Sequence, residues 1–193
     1  MSNTNSRREF IAHGAAAGGV CLLTFTLSGC AARLTPAQAR AAKVPLRTLA
    51  ADDMTTVNAL GETLLPGSAA AGLAHYLDHQ LSGDPADSML MIKYLGVPAP
   101  FDVFYRGGLR ATETAARALY GKTFADLNSQ QAGALVTQMS AGHVDGWQGP
   151  PSALFYFVLR NDAVDVVYGT QGGFELLGVP YMAHIAPPSR WGE

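Results

Sequence analysis

Cysteine is almost missing from this chain. Cys21 and Cys30 are the only two, and both fall within the first 30 of its 193 residues. Everything beyond them has no disulfide pair, no thiol nucleophile and no Cys-x-x-Cys-His for covalent haem. Charge is scarce as well: 15% of residues are charged, against roughly a quarter in an average soluble protein. The formal net charge is −2 and no basic stripe stands out along the sequence, which excludes nucleic acid as a partner. Long alternating strand patterns and internal repeats are lacking. So are the motifs of the common reaction centres. Gly169-Thr170-Gln171-Gly172-Gly173 is rich in glycine, but it has neither the Gly-x-Gly-x-x-Gly spacing nor a preceding strand to make a phosphate cradle. No Gly-x-Ser-x-Gly elbow and no Ser/His/Asp order stands out. The sequence therefore assigns no catalytic residue, no cofactor-binding residue and no metal ligand.

What is there begins at the N-terminus. Ser6-Arg7-Arg8-Glu9-Phe10-Ile11 resembles the twin-arginine export motif, in which Arg7 and Arg8 precede an apolar Phe10. Residues 14–27 follow as a moderately apolar segment without formal charge, short for a membrane span and suited to a leader. Leu27-Ser28-Gly29-Cys30 resembles a bacterial lipobox, in which the cysteine sulfur carries the diacylglycerol. Ordinary cleavage after Ala32 is the competing reading. The expected organisation is a leader over residues 1–29, a frayed linker over 30–50 and a helical domain over 51–193. Either cleavage places the domain outside the cytoplasm, in a bacterial periplasm, and acylation of Cys30 would tether it to a membrane surface without a spanning helix. The twin-arginine translocase moves folded proteins. A chain that carries no cofactor motif of its own is then best explained as travelling with a protein partner.

The domain reads as all-α, with about five helices, irregular connections and a long extended C-terminal tail. Met54, Val57, Leu60 and Leu64 recur at helical spacing behind Asp52 or Asp53 as cap, and Pro66-Gly67 stops that helix. A second helix is expected over residues 69–81. Residues 84–100 look irregular, with Met89, Met91, Ile92, Tyr94 and Leu95 as an apolar patch that needs cover. Residues 101–120 form a long helix stopped by Gly121, Asn128 or Ser129 caps a fourth to about residue 140, and residues 151–167 form the last.

Two constellations carry a chemical alternative. His75 and His79 lie four apart on one helix face, a spacing that lets two imidazoles share a zinc. However, Tyr76 replaces the glutamate of a His-Glu-x-x-His, and no third ligand follows from spacing. The second reading is therefore a stand-alone periplasmic lipoprotein with a metal-dependent hydrolase or binding role, built on His75, Asp78 and His79. Asp162 and Asp165 are three apart on the last helix, a spacing open to a carboxylate pair; helix polarity beside Arg160 is the favoured reading, and pairing of Asp162 with an arginine of a partner is the alternative.

The tail, residues 168–193, is punctuated by glycine and proline, rich in aromatics and poor in helical periodicity. Ordered loops of that length are usually functional, and Trp, Tyr and Arg anchor protein interfaces. Trp147, Phe155, Arg160, Tyr168, Phe174, Tyr181, His184 and Trp191 are the expected partner contacts; packing within the chain is the alternative for each, favoured for Phe155, while Trp191 and Tyr181 are the strongest interface candidates. Several motifs here are similar to those of the gluconate 2-dehydrogenase subunit 3 family over roughly residues 50–191. They are Leu64-Leu65-Pro66-Gly67, Phe104-Tyr105-Arg106-Gly107-Gly108-Leu109, Tyr120-Gly121-Lys122-Thr123-Phe124, and Arg160-Asn161-Asp162 through Tyr168-Gly169 to Gly178-Val179-Pro180-Tyr181. The resemblance implies a non-catalytic small subunit that escorts a leaderless flavoprotein of the glucose-methanol-choline oxidoreductase type. In that scheme the large subunit holds FAD and oxidises a sugar or alcohol, a cytochrome c subunit with haem takes the electrons, and this chain binds neither cofactor.

Overall fold

The structure is a computed structural model that describes residues 22–27 and 29–179. Arg7, Arg8 and Phe10 of the leader, and Tyr181, His184 and Trp191 of the tail, lie outside the described residues. Of the described residues 63% are helical and 6% are in strands, so the all-α expectation holds. The order is β1 (Leu23–Leu27), β2 (Cys30–Leu34), α1 (Pro36–Ala41), α2 (Ala51–Leu64), α3 (Ser68–Ala71), α4 (Leu73–Ser82), α5 (Met91–Tyr94), α6 (Asp102–Tyr120), α7 (Ser129–Ala141), α8 (Ser152–Tyr168) and α9 (Gln171–Leu176). The long ones are α2, α4, α6, α7 and α8, the five that periodicity predicts.

The last long helix is the axle. α8 is apolar around most of its circumference, with Phe155, Val158, Leu159 and Ala163 all at 0% exposure. A helix so apolar is buried along most of its length: α2 through α7 and α9 all touch it, and only a strip with Phe157, Arg160 and Asp165 faces solvent. Phe155 seats the closest crossing. Its ring lies where a Cβ on Gly108 would stand, at 2.3 Å, so only glycine lets α6 approach. Phe104 and Trp147 close around the same ring, at 5.9 and 6.4 Å between centroids. Burying a phenylalanine side chain of this kind contributes about 2–3 kcal/mol.

Local signals set the ends. Asn128 and Gln131 form a reciprocal capping box at the start of α7, with each side chain accepting the other's backbone N–H, which satisfies two of the donors a helix start leaves free. Asp53 is not itself the cap of α2. It occupies the third position and accepts the N–H of Ala50 at 3.0 Å. The helix expected over 69–81 is broken at Gly72, whose φ is +89° and whose Cβ would fall 2.3 Å from the backbone of Pro36. The chain turns there because α1 lies directly on it.

Three stretches differ from expectation. Residues 23–27 and 30–34 form an antiparallel hairpin, with Leu23 opposite Leu34 and Leu27 opposite Cys30. Leu23 and Phe25 point into the core at 8% and 7% exposure, while Thr24 and Thr26 face outward. The stretch 30–50 is folded rather than frayed, and Thr35 and Gln38 make a capping box for α1. The start of the tail is helical. Thr170 Oγ1 accepts the N–H of Gly173 at 3.0 Å and opens α9, so residues 171–176, expected as part of an extended tail, are helical.

Candidate functional site

The polar residues that look most like chemistry are on α4, and each has structural work. Asp78 is buried, and its carboxylate accepts three consecutive backbone N–H groups: Arg47 at 2.9 Å, Thr48 at 2.8 Å and Leu49 at 2.8 Å. His75 Nε2 bonds the carbonyl of Val44, and His79 Nε2 bonds the carbonyl of Thr24, both at 3.2 Å. The edge of the Phe25 ring meets the His79 ring at 5.1 Å. Burial holds both imidazoles below the ordinary histidine pKa, and the carbonyl bonds oppose that only in part. The three residues moor the arm 23–50 onto α4. Both Nε2 atoms bond backbone carbonyls and so do not face a shared zinc, while His79 Nδ1 is buried without a hydrogen-bond partner. Among the described residues no group of three or more His, Cys, Asp or Glu is placed to hold a metal.

Asp162 is the second such residue. It is 0% exposed, accepting the Met91 N–H at 2.9 Å and the Tyr105 hydroxyl at 2.5 Å. Burial pushes its carboxyl up to about 7, while the two donors pull the other way. Burial and the facing carboxylate raise the Tyr105 hydroxyl well above its ordinary value. The arrangement ties α5 and α6 to the axle helix. The alternative pairing of Asp162 with a partner's arginine is excluded, because no solvent-facing atom is left to reach.

The open surface is at the other end. A groove of ≈ 700 Å³ runs between α1, α4, α5 and the end of α8, lined by Pro36, Tyr76, Met89, Tyr94, Val166 and Val167 and bordered by Asp165 and Thr170. Tyr94 beside it is 69% exposed and Met89 40%, so the apolar patch expected over residues 84–100 is only half covered. Leu90 and Ile92 fill the core, Met91 is half-buried, and Met89, Tyr94 and Leu95 face out. α9 continues from the groove's wall and presents Leu176 at 73%, Leu177 at 54% and, beyond its end, Val179 at 47%. Apolar side chains exposed in a group are what an interaction surface presents.

The predicted contacts divide accordingly. Phe155 is fully buried and serves packing inside the chain, a correction to its place among partner contacts. Trp147 is half-buried, stacked near Phe155, with its indole N–H donating to the Pro150 carbonyl at 2.6 Å. Arg160 is exposed on α8, and Tyr168 and Phe174 are half-buried near the groove end. Cys30 is exposed at the head of β2. Leu176 and Leu177 were missed, whereas Tyr94 belongs to the patch whose need for cover the sequence shows but was not named as a contact. Leu176 and Leu177 sit in a stretch read as irregular, and the facing of Tyr94 depends on which of its neighbours the core takes.

The described residues thus combine a polar ridge hydrogen-bonded within the chain with an exposed apolar end. Residues 51–182 match the model of gluconate 2-dehydrogenase subunit 3, and the chain belongs to that family. No curated protein and no solved structure matches it.

Proposed function

We propose that the chain is the non-catalytic small subunit of a periplasmic oxidoreductase complex, and that it escorts and stabilises a FAD-dependent sugar or alcohol dehydrogenase of the glucose-methanol-choline type. Arg7, Arg8 and Phe10 supply the twin-arginine signal for a large subunit that has no leader, and lipidation of Cys30 holds the assembly at the membrane surface. FAD resides in the large subunit, haem c in a third, and neither in this chain. The observation that carries the reading is the exposed apolar end in a member of a dehydrogenase-subunit family. Leu176, Leu177, Val179 and Tyr94 border the root of an aromatic tail, and their exposure is offset when a partner covers them. An obligate partner of this kind buries on the order of 2,000 Å² or more.

Co-expression with the flavoprotein, with and without residues 1–29, tests the escort role. The flavoprotein reaches the periplasm only with the leader present. Equal export without it refutes the role. Absorbance of the complex purified from membranes then reports flavin and haem in the partners.

A further inference from the structure

The basic residues of this chain are unevenly divided, and the fold gathers one group of them. Residues 30–50 hold Arg33, Arg40, Lys43 and Arg47 and no acidic residue, whereas residues 51–193 hold seven basic and fourteen acidic residues. An arm of charge +4 is thus laid on a body of charge −7. All four cations are exposed. Among the described residues the ion pairs are Arg106–Asp53 and Arg117–Glu113, both within the body.

The mooring of the arm places the four along one side of α4. Arg40 and Lys43 line a cavity of ≈ 800 Å³ that His75 also lines. Arg33 stands opposite Thr24 in the hairpin, and the carbonyl of Thr24 bonds His79 one helical turn further on. The Arg47 guanidinium donates to Thr26 Oγ1 on the same strand, at 2.5 Å. Asp78, between the two histidines, does not offset these charges outwardly, because it is buried and spent on three amides. Asp53, just past the arm, is turned to Ala50 and Arg106, which leaves Asp52 as the exposed acid nearest in sequence. The exposed large apolar residues of the described chain lie elsewhere, from Met89 to Val179, and none is in residues 30–50.

We propose that this face rests on anionic phospholipid headgroups. Protein interfaces are built around aromatic and apolar anchors; the apolar residues beside these cations, Val44, Leu46, Leu49 and Met54, line the cavity, and none is among the exposed large hydrophobics. A surface of anionic headgroups asks only for positive charge at the right height. Each Lys or Arg held near such a surface raises partitioning about fivefold. A basic patch is also the second signal that steadies a lipid-anchored protein and fixes which side faces the bilayer. Its place in the cell rests on the reading of Cys30 as a lipidated residue outside the cytoplasm, since Cys30 opens β2 three residues before Arg33. Removal of residues 1–29 takes β1 away, so Arg47 loses Thr26 and Arg33 loses its strand partner, while Arg40, Lys43 and Arg47 stay on the stretch moored to α4 through His75–Val44 and through Asp78.

The test is cosedimentation of the full chain carrying Cys30→Ser, so that no acyl group contributes. It uses vesicles of phosphatidylglycerol with phosphatidylcholine, and vesicles of phosphatidylcholine alone. The chain binds the anionic vesicles and is released as salt rises from about 50 to about 300 mM, where the Debye length shrinks below 10 Å. Replacing the four cations together (Arg33→Gln, Arg40→Gln, Lys43→Asn, Arg47→Gln) lowers the partition coefficient by more than about a hundredfold, and Arg40→Gln with Lys43→Asn alone by about 25-fold. The pair is the safeguard if the quadruple variant does not fold, since neither of its side chains makes a hydrogen bond among the described residues. Arg7 and Arg8 are kept throughout, so the leader's own contribution cancels. Unchanged binding after charge removal, or binding indifferent to salt, overturns the proposal. In a separate pull-down with the flavoprotein, a charge-removed variant that still binds vesicles but no longer retains its partner makes the face a protein interface and overturns the proposal as well. The vesicle assay contains no flavoprotein and no acyl chain, so its failure leaves the escort reading standing.

Discussion

The two ends of α4 and α8 make an instructive contrast. The ridge on α4 carries His75, Asp78 and His79, residue types that suggest a reaction centre, yet each is consumed in holding the arm 23–50. The end of α8, with α9 after it, carries leucines, a valine and a tyrosine with no chemistry to offer, and these are left to solvent. The difference teaches that polar identity alone does not mark function. A buried polar group needs partners to offset its lost hydration, and once it has them it is spent. An exposed apolar group has an unmet preference, and that preference points outward.

The contrast breaks first if the core is not where the structure puts it. Phe155→Ala removes a ring at 0% exposure beneath α6 and is expected to cost about 3–5 kcal/mol in urea unfolding. A loss under 1 kcal/mol, with weakened partner binding instead, would return Phe155 to the interface. Next comes the ridge. Asp78→Ala strips three amides of their acceptor and is expected to cost about 3 kcal/mol, with hydrogen exchange at residues 47–49 speeding up. Stability close to that of the natural chain, together with loss of a bound metal, would restore the catalytic reading of α4.

The open end makes the opposite prediction. Leu176→Asp with Leu177→Asp changes stability by less than about 0.5 kcal/mol, as for most exposed positions. Retention of the flavoprotein on an affinity column falls about 30-fold or more if the pair is a hot spot. A variant that loses about 2 kcal/mol or more of stability while its folded form still holds the partner would show that this surface is internal.

The smallest effect sharpens the boundary between the two regions, because Asp162 ties α5, which borders the groove, to the axle. The folded carboxyl is raised to about 7, above its unfolded value near 4, so the folded state holds the extra proton between these values. Stability is therefore greatest at low pH on this account and declines as pH rises from about 4 to about 7, with no further change above. The decline is roughly 2 kcal/mol between pH 5 and pH 7. Asp162→Asn, which keeps an acceptor for Met91, flattens that part of the profile. An unchanged slope in the variant would mean that the carboxylate is charged throughout.

Much of the body was legible because it depends on neighbours in sequence. The five long helices follow from apolar spacing at Met54, Val57, Leu60 and Leu64, from the Asn128 cap and from the Gly121 stop. The hairpin had a signal that was read differently. Leu23-Thr24-Phe25-Thr26-Leu27 alternates with period two and ends at Ser28-Gly29, a strand and turn pattern, but the same residues complete an apolar leader. Similarly, α9 was hidden by glycines whose weak propensity is outweighed by the Thr170 cap and contact with α8.

By itself the sequence determined the helical class, the family to which residues 51–182 belong, and the absence of recognisable catalytic motifs, since these rest on local periodicity and on residue order. Only the tertiary structure decided that Asp78 and the two histidines are moorings, that Asp162 faces inward, and that four scattered cations share one side. Burial and partnership are set by residues thirty to seventy positions away. A chain read in order shows which side chains are present, but the free energy of each depends on what folding places beside it.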